Sequence, residues 1–126
     1  MKYDLYSLLR LENWQLEYLF SYCVAKLVPD HYNITFMTDE YGIPVVVKSD
    51  EDSTVLYGTC TKEDAIAHNK LHTKNIDIFD IIDRYGISVI SSTDKTSWTV
   101  KHDLNSVTTS SLHRGVMIVY ILSKIQ

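Results

Sequence analysis

Cysteine, arginine, glycine and proline are all scarce in this chain, and most of these shortages remove a class of function. The two cysteines, Cys23 and Cys60, build neither a disulfide framework nor a structural zinc site. Arginine stands only at positions 10, 84 and 114, and the lysines do not cluster. The electrostatic footprint of a protein that tracks nucleic-acid phosphates is therefore missing. The four glycines, at 42, 58, 86 and 115, are too dispersed for a Gly-rich phosphate loop, and no G-x-S-x-G nucleophile elbow occurs. No apolar run approaches the roughly 18–20 residues that span a bilayer. Asp4 falls where the apolar region of a secretory signal would lie, so a cytoplasmic protein with no membrane partner is expected. A Ser/His/Asp triad need not be local in sequence, and with this many serines and aspartates composition carries no information about one.

What is present is ordinary for a globular protein: 45% hydrophobic and 22% charged residues in a chain of 126. One domain over residues 1–126 is expected, long enough to bury roughly two-thirds of the surface its unfolded form exposes. The net charge of −4 is unevenly spread. Asp39 to Asp83 holds ten acids against four bases, and the remainder six acids against eight bases. An acidic middle is either a solvated face, the simpler account, or a docking surface for a basic partner.

Residues 12–28, ENWQLEYLFSYCVAKLV, place Leu16, Leu19, Phe20, Cys23, Val24, Leu27 and Val28 at steps of three and four, which predicts a helix. Asn13 is the expected N-cap, Lys26 sits near the negative end, and Pro29 ends the helix. Cys23 lies on the stripe and reads as a core residue. Trp14, Tyr18 and Tyr22 fall at i, i+4 and i+8, beside that stripe. They either widen the buried face, the favoured outcome, or form an exposed aromatic strip for a protein partner.

The β-branched and aromatic residues that follow predict a hairpin, 43–48 with 54–59, turning through Asp50, Glu51 and Asp52. These three acids are a candidate contact for a basic partner; a cation site there is less simple than a plain turn. Thr61 with Glu63 and Asp64 predicts the start of a short helix. It carries His68 and His72 at the i, i+4 spacing of a metal pair, with Asp64 the nearest third ligand and two exposed histidines the simpler account. NIDIFDIIDRYG predicts a helix with Ile78, Ile81, Ile82 and Tyr85 on one face and Gly86 as its left-handed stop. A second hairpin is predicted over 87–91 and 97–102, then a polar connection, LNSVTTSS. The end, SSLHRGVMIVYILSKI, predicts an apolar helix capped at Ser111. Its run VMIVYIL is apolar nearly all round, which predicts burial on more than one side or else a strand, and makes a homodimer a candidate assembly. The expected fold is α+β, sandwich-like in the α/β/α sense, with an antiparallel sheet of about four strands from two hairpins packed by the N-terminal and C-terminal helices.

Two short stretches repeat: DEYGIPV at 39–45 and DRYGISV at 83–89. Each precedes a hairpin. The expectation is that Gly42 and Gly86 take positive φ and that Ile43 or Ile87 then starts a strand facing the core.

The stretches DIIDRYGISV (80–89), Trp98 in SWTVKH, and SSLHRGVMIVYILSK (110–124), with LEYLFSYCVAKL (16–27), resemble the phage ABA sandwich domain family of tailed bacteriophages and prophages. The resemblance covers 80–124 and, more loosely, 11–28, but not 30–75. Ser111 replaces the family's proline, and Arg114 and Gly115 replace its alanine pair. The resemblance implies an α/β/α fold and a phage origin, and carries over no catalytic residue; Trp98, Leu112 and Met117 match family core positions. The expected function is that of a non-enzymatic accessory protein, without cofactor, that binds a host or phage protein in the host cytoplasm. A narrower form is interference with host defence, as anti-CRISPR proteins do. The alternative is a small-ligand module for a nucleotide-type messenger, with a metal-dependent hydrolase on His68 and His72 third.

Overall fold

The computed structural model describes residues 3–25, 32–50 and 52–125. Two helices come first, α1 (Leu5–Leu9) and α2 (Asn13–Val24). Three strands follow, β1 (Tyr32–Thr38), β2 (Pro44–Asp50) and β3 (Leu56–Thr61), then α3 (Lys62–Thr73) and α4 (Ile78–Tyr85). A second trio, β4 (Ser88–Ser91), β5 (Trp98–His102) and β6 (Asn105–Thr109), leads into α5 (Leu112–Ile125).

The α+β class holds, but among the described residues six strands in two antiparallel meanders, β1-β2-β3 and β4-β5-β6, replace the expected four in one sheet. Both expected hairpins are present, as β2–β3 and β4–β5, and each gains a third strand. The stretch expected as a polar connection is mostly strand β6, joined to β5 by a tight turn in which Asp103 has φ 51. The single apolar residue of β6, Val107, is buried while Ser106 and Thr108 are exposed, so the period-2 signal rests on one side chain.

The layering also reverses the α/β/α expectation. Trp14 and Tyr18 on α2 meet Phe36 on β1, with ring centroids 5.6 and 6.2 Å apart. From the same helix Phe20 meets Tyr120 on α5, edge to face at 5.3 Å. Helix α5 packs in turn on β5 and β6. The order is sheet, helix, helix, sheet, so α2 and α5 are interior and each sheet turns one face outward. Residues Gly115 through Leu122 are all buried, which is why the run VMIVYIL is apolar all round. The surplus apolar surface that made a homodimer a candidate is covered within the chain.

Local chemistry sets the element ends. The N-cap of α2 lies one residue earlier than expected: it is Glu12, not Asn13, and it exchanges hydrogen bonds with Gln15 in a capping box. Lys26, Leu27, Val28 and Pro29, expected to finish that helix, lie outside the described residues. Thr61 caps α3 by accepting from the Asp64 N–H, and Asp77 caps α4 by accepting from Phe79. Ser111 Oγ accepts from the Arg114 N–H at 3.3 Å. The Arg114 guanidinium reaches back to the Leu9 and Leu11 carbonyls and to Asn13 Oδ1, tying the end of α1 to α5.

The two Tyr-Gly copies share a conformation but not a place. Gly86 (φ 63) stops α4, with its N–H and that of Ile87 returning to Asp83 and Ile82. Gly42 (φ 77) lies in the β1–β2 turn, where the Asp39 carboxylate accepts from the Tyr41 and Ile43 N–H groups. Ile87 is buried at 7% exposure as expected, whereas Ile43 is 47% exposed and does not face the core.

Candidate functional site

The aromatic line of α2 is interior. Trp14, Tyr18 and Tyr22 are 8%, 1% and 7% exposed, so they widen the buried face and do not form a surface strip. Sheet β1-β2-β3 supplies what covers them. On β2, Val46 points inward, and Lys48, two residues on, shares its face. Phe36, Val46 and Cys60 pair across the three strands beneath Tyr18.

A polar seam results between α2, α3 and this sheet. Lys48 Nζ donates to the Tyr22 hydroxyl at 3.2 Å, and the Tyr18 hydroxyl donates to the same oxygen at 3.2 Å. Cys60 Sγ lies 3.8 Å from the Tyr18 hydroxyl. His68 stacks on the Tyr22 ring at 5.0 Å, and His72 lies against His68 with centroids 4.2 Å apart. His68 is half-buried, with Nε2 enclosed and without a hydrogen-bond partner among the described residues, and only His72 of the pair is exposed. Burial first, then His72 and Lys48, holds the His68 imidazole below the ordinary histidine range. Burial first, then the hydrogen bonds to Tyr22 and Cys60, pushes the Tyr18 phenol well above the ordinary tyrosine range, so it stays a hydrogen-bond donor.

The i, i+4 histidines, for which two exposed side chains were the simpler account and a metal pair the alternative, are a half-buried ring on Tyr22 with an exposed ring against it. Among the described residues no group of three or more His, Cys, Asp or Glu side chains could hold a metal ion. Cys23 is buried and its thiol is pushed up to about 11, as suits a core residue. The acids of the β2–β3 turn divide. The Asp50 carboxylate accepts from the Thr54 N–H and hydroxyl and from the Val55 N–H, which lowers its pKa and makes it a turn residue. Asp52 is exposed, and Glu51 lies outside the described residues.

Sequence reasoning missed Lys48 and Cys60 as neighbours of this seam. The period-2 pattern of VVVKSD held the signal for Lys48, since a charge two residues from a core valine points inward. It also missed a cleft of about 290 Å³ between α4, α5 and the end of α2. Ile76, Ile81, Tyr85 and Tyr120 wall it, and Asp80 and Arg84 stand on its α4 side. The tyrosine rings meet edge to face at 5.1 Å, and Lys124 Nζ lies 4.8 Å from one and 5.4 Å from the other. Burial, then a hydrogen bond with Tyr85, pushes the Tyr120 phenol above its ordinary range. No helix among the described residues is long and apolar enough to cross a membrane. No protein-family model, curated protein or solved structure matches the chain.

Proposed function

We propose that this chain is a small non-enzymatic accessory protein that binds another protein through the sheet β1-β2-β3 and its turns. One observation carries this. Among the described residues half of the large exposed apolar side chains lie on this sheet and its turns: Met37, Tyr41, Ile43, Val55, Leu56 and Tyr57, with Tyr41 79% and Leu56 66% exposed. Exposed apolar and aromatic side chains carried by one sheet and its turns are the usual anchors of a protein contact. Exposed acids border them, Asp39 and Glu40 at one end and Asp52 at the other. That arrangement favours a partner whose surface offers apolar pockets ringed by Lys or Arg.

In this proposal the partner is a host or phage protein and the place of action is the host cytoplasm. The resemblance of residues 80–124 to the phage ABA sandwich family supports a phage or prophage origin, and interference with a host defence system is its narrower form. The test is affinity capture from host lysate with four baits: wild type, Leu56→Ser/Tyr57→Ser, Asp39→Lys/Glu40→Lys, and Ile90→Ser on the other sheet. One partner in stoichiometric amount should stay with wild type and Ile90→Ser and be lost from the two other baits. Absence of any stoichiometric partner, or its retention by the β1-β2-β3 variants, refutes the proposal.

A further inference from the structure

The cleft between α4 and α5 lies away from the proposed docking sheet and has its own chemistry. Asp80 and Arg84 stand one helical turn apart on α4, at the spacing and in the order that normally close an exposed ion pair. Yet neither forms an ion pair among the described residues, and both line the same cleft. Ile81 and the crossed rings of Tyr85 and Tyr120 give it an apolar and aromatic wall. Asn75 completes the polar part of the lining.

Separated unlike charges over an apolar wall match a ligand with the same pattern. We propose that this cleft binds a small zwitterion of the α-amino-acid type. Its carboxylate sits on Arg84, whose planar fork suits that group. Its ammonium sits on Asp80, and its side chain lies against Ile81 and the tyrosine rings. At about 290 Å³ the cleft is at the lower edge of small-molecule sites, commonly about 300–1,000 Å³, and so has room for one amino acid, not for a dinucleotide. A phosphate ligand is disfavoured by Asp77 and Asp80 on the same lining, which would face its negative charge. Because both charges are exposed, affinity should be modest, on the order of 0.1–1 mM.

The experiment is an NMR titration of the ¹⁵N-labelled full chain with L-phenylalanine, L-leucine, N-acetyl-L-phenylalanine, L-phenylalaninamide and AMP. L-Phenylalanine or L-leucine should give saturable shifts of the Ile76, Ile81 and Tyr85 amides. Removing either ligand charge, by acetylation or amidation, should weaken binding about tenfold or more, as should Arg84→Gln or Asp80→Asn. Asp83→Asn, on α4 but outside the cleft lining, should bind as wild type, and matched melting temperatures establish that the variants are folded. The proposal is overturned if neither amino acid shifts these amides at millimolar concentration, if N-acetyl-L-phenylalanine or the amide binds as tightly as L-phenylalanine, or if AMP binds in their place.

Discussion

Gly86 and Gly115 are both glycines at helices, and they are required for different reasons. Gly86 needs its backbone: φ is 63 and nothing lies within 4 Å of where a Cβ would sit. Gly115 needs its lack of a side chain: a Cβ there would lie 2.9 Å from Val100 Cγ2 and 3.0 Å from Thr109 Oγ1. Val100 is fully buried and has little room to give. Alanine at 86 should therefore cost about 1 kcal/mol through strain alone. Alanine at 115 gains up to about 1 kcal/mol of helix propensity, but overpacking against β5 costs about 1–3 kcal/mol, for a net loss of up to about 2 kcal/mol. Urea denaturation of the two variants checks both; a stabilised Gly115→Ala would mean that α5 does not seat on β5 and β6 as described. The first requirement was legible in DRYGIS, where a periodic helix runs into a glycine. The second was not, because only the packed sheet reveals the close approach.

At the scale of elements, legibility followed the number of apolar side chains that each segment commits to its period. Helices α2, α4 and α5 each set several on one face and stand where their spacing puts them, although α2 closes at Val24 with Ala25 as its C-cap, short of the expected Val28. Strand β6 commits only Val107, and the polar run around it read as a connection. The two strands missed as pairing partners, β1 and β6, are both sheet edges, where half the ladder faces outward and polar residues are tolerated. The consequence is testable. Val107→Ala should cost about 2 kcal/mol, because it deletes buried methyl groups beneath α5. Thr108→Ala, on the outer face where its hydroxyl pairs with Thr99, should stay within about 0.5 kcal/mol. Equal midpoints for the two variants would show that 105–109 is not a strand with one face inward.

Over the whole molecule, the two interior helices differ in how they meet their sheets. Helix α5 lies on β5 and β6 through an apolar contact centred on Gly115, Val100 and Val107. The α2–α3 side meets β1-β2-β3 through a seam that is partly polar: Lys48, Tyr22, Tyr18, Cys60, and His68 stacked on Tyr22 with His72 against it. That these groups meet in one seam was not legible beforehand, because two separate sheets only become apparent once β1 and β6 are paired. The aromatic line and the i, i+4 histidines were both visible in the sequence as separate motifs, and folding joins them. The seam makes stability depend on pH. His68 binds its proton less readily folded than unfolded, since burial, His72 and Lys48 all oppose the charge. Its contribution is therefore present above the unfolded pKa of about 6.5 and is lost as pH falls from there through the depressed folded value. The described carboxylates with resolved shifts, on Asp4, Asp50 and Asp94, are lowered and do not titrate in this window. Urea midpoints should fall between about pH 7.5 and pH 5.5, and His68→Gln should remove a large part of that fall while His113→Gln leaves it in place. If His68→Gln loses stability on acidification as steeply as wild type, the histidine stack is not what couples this sheet to the helices.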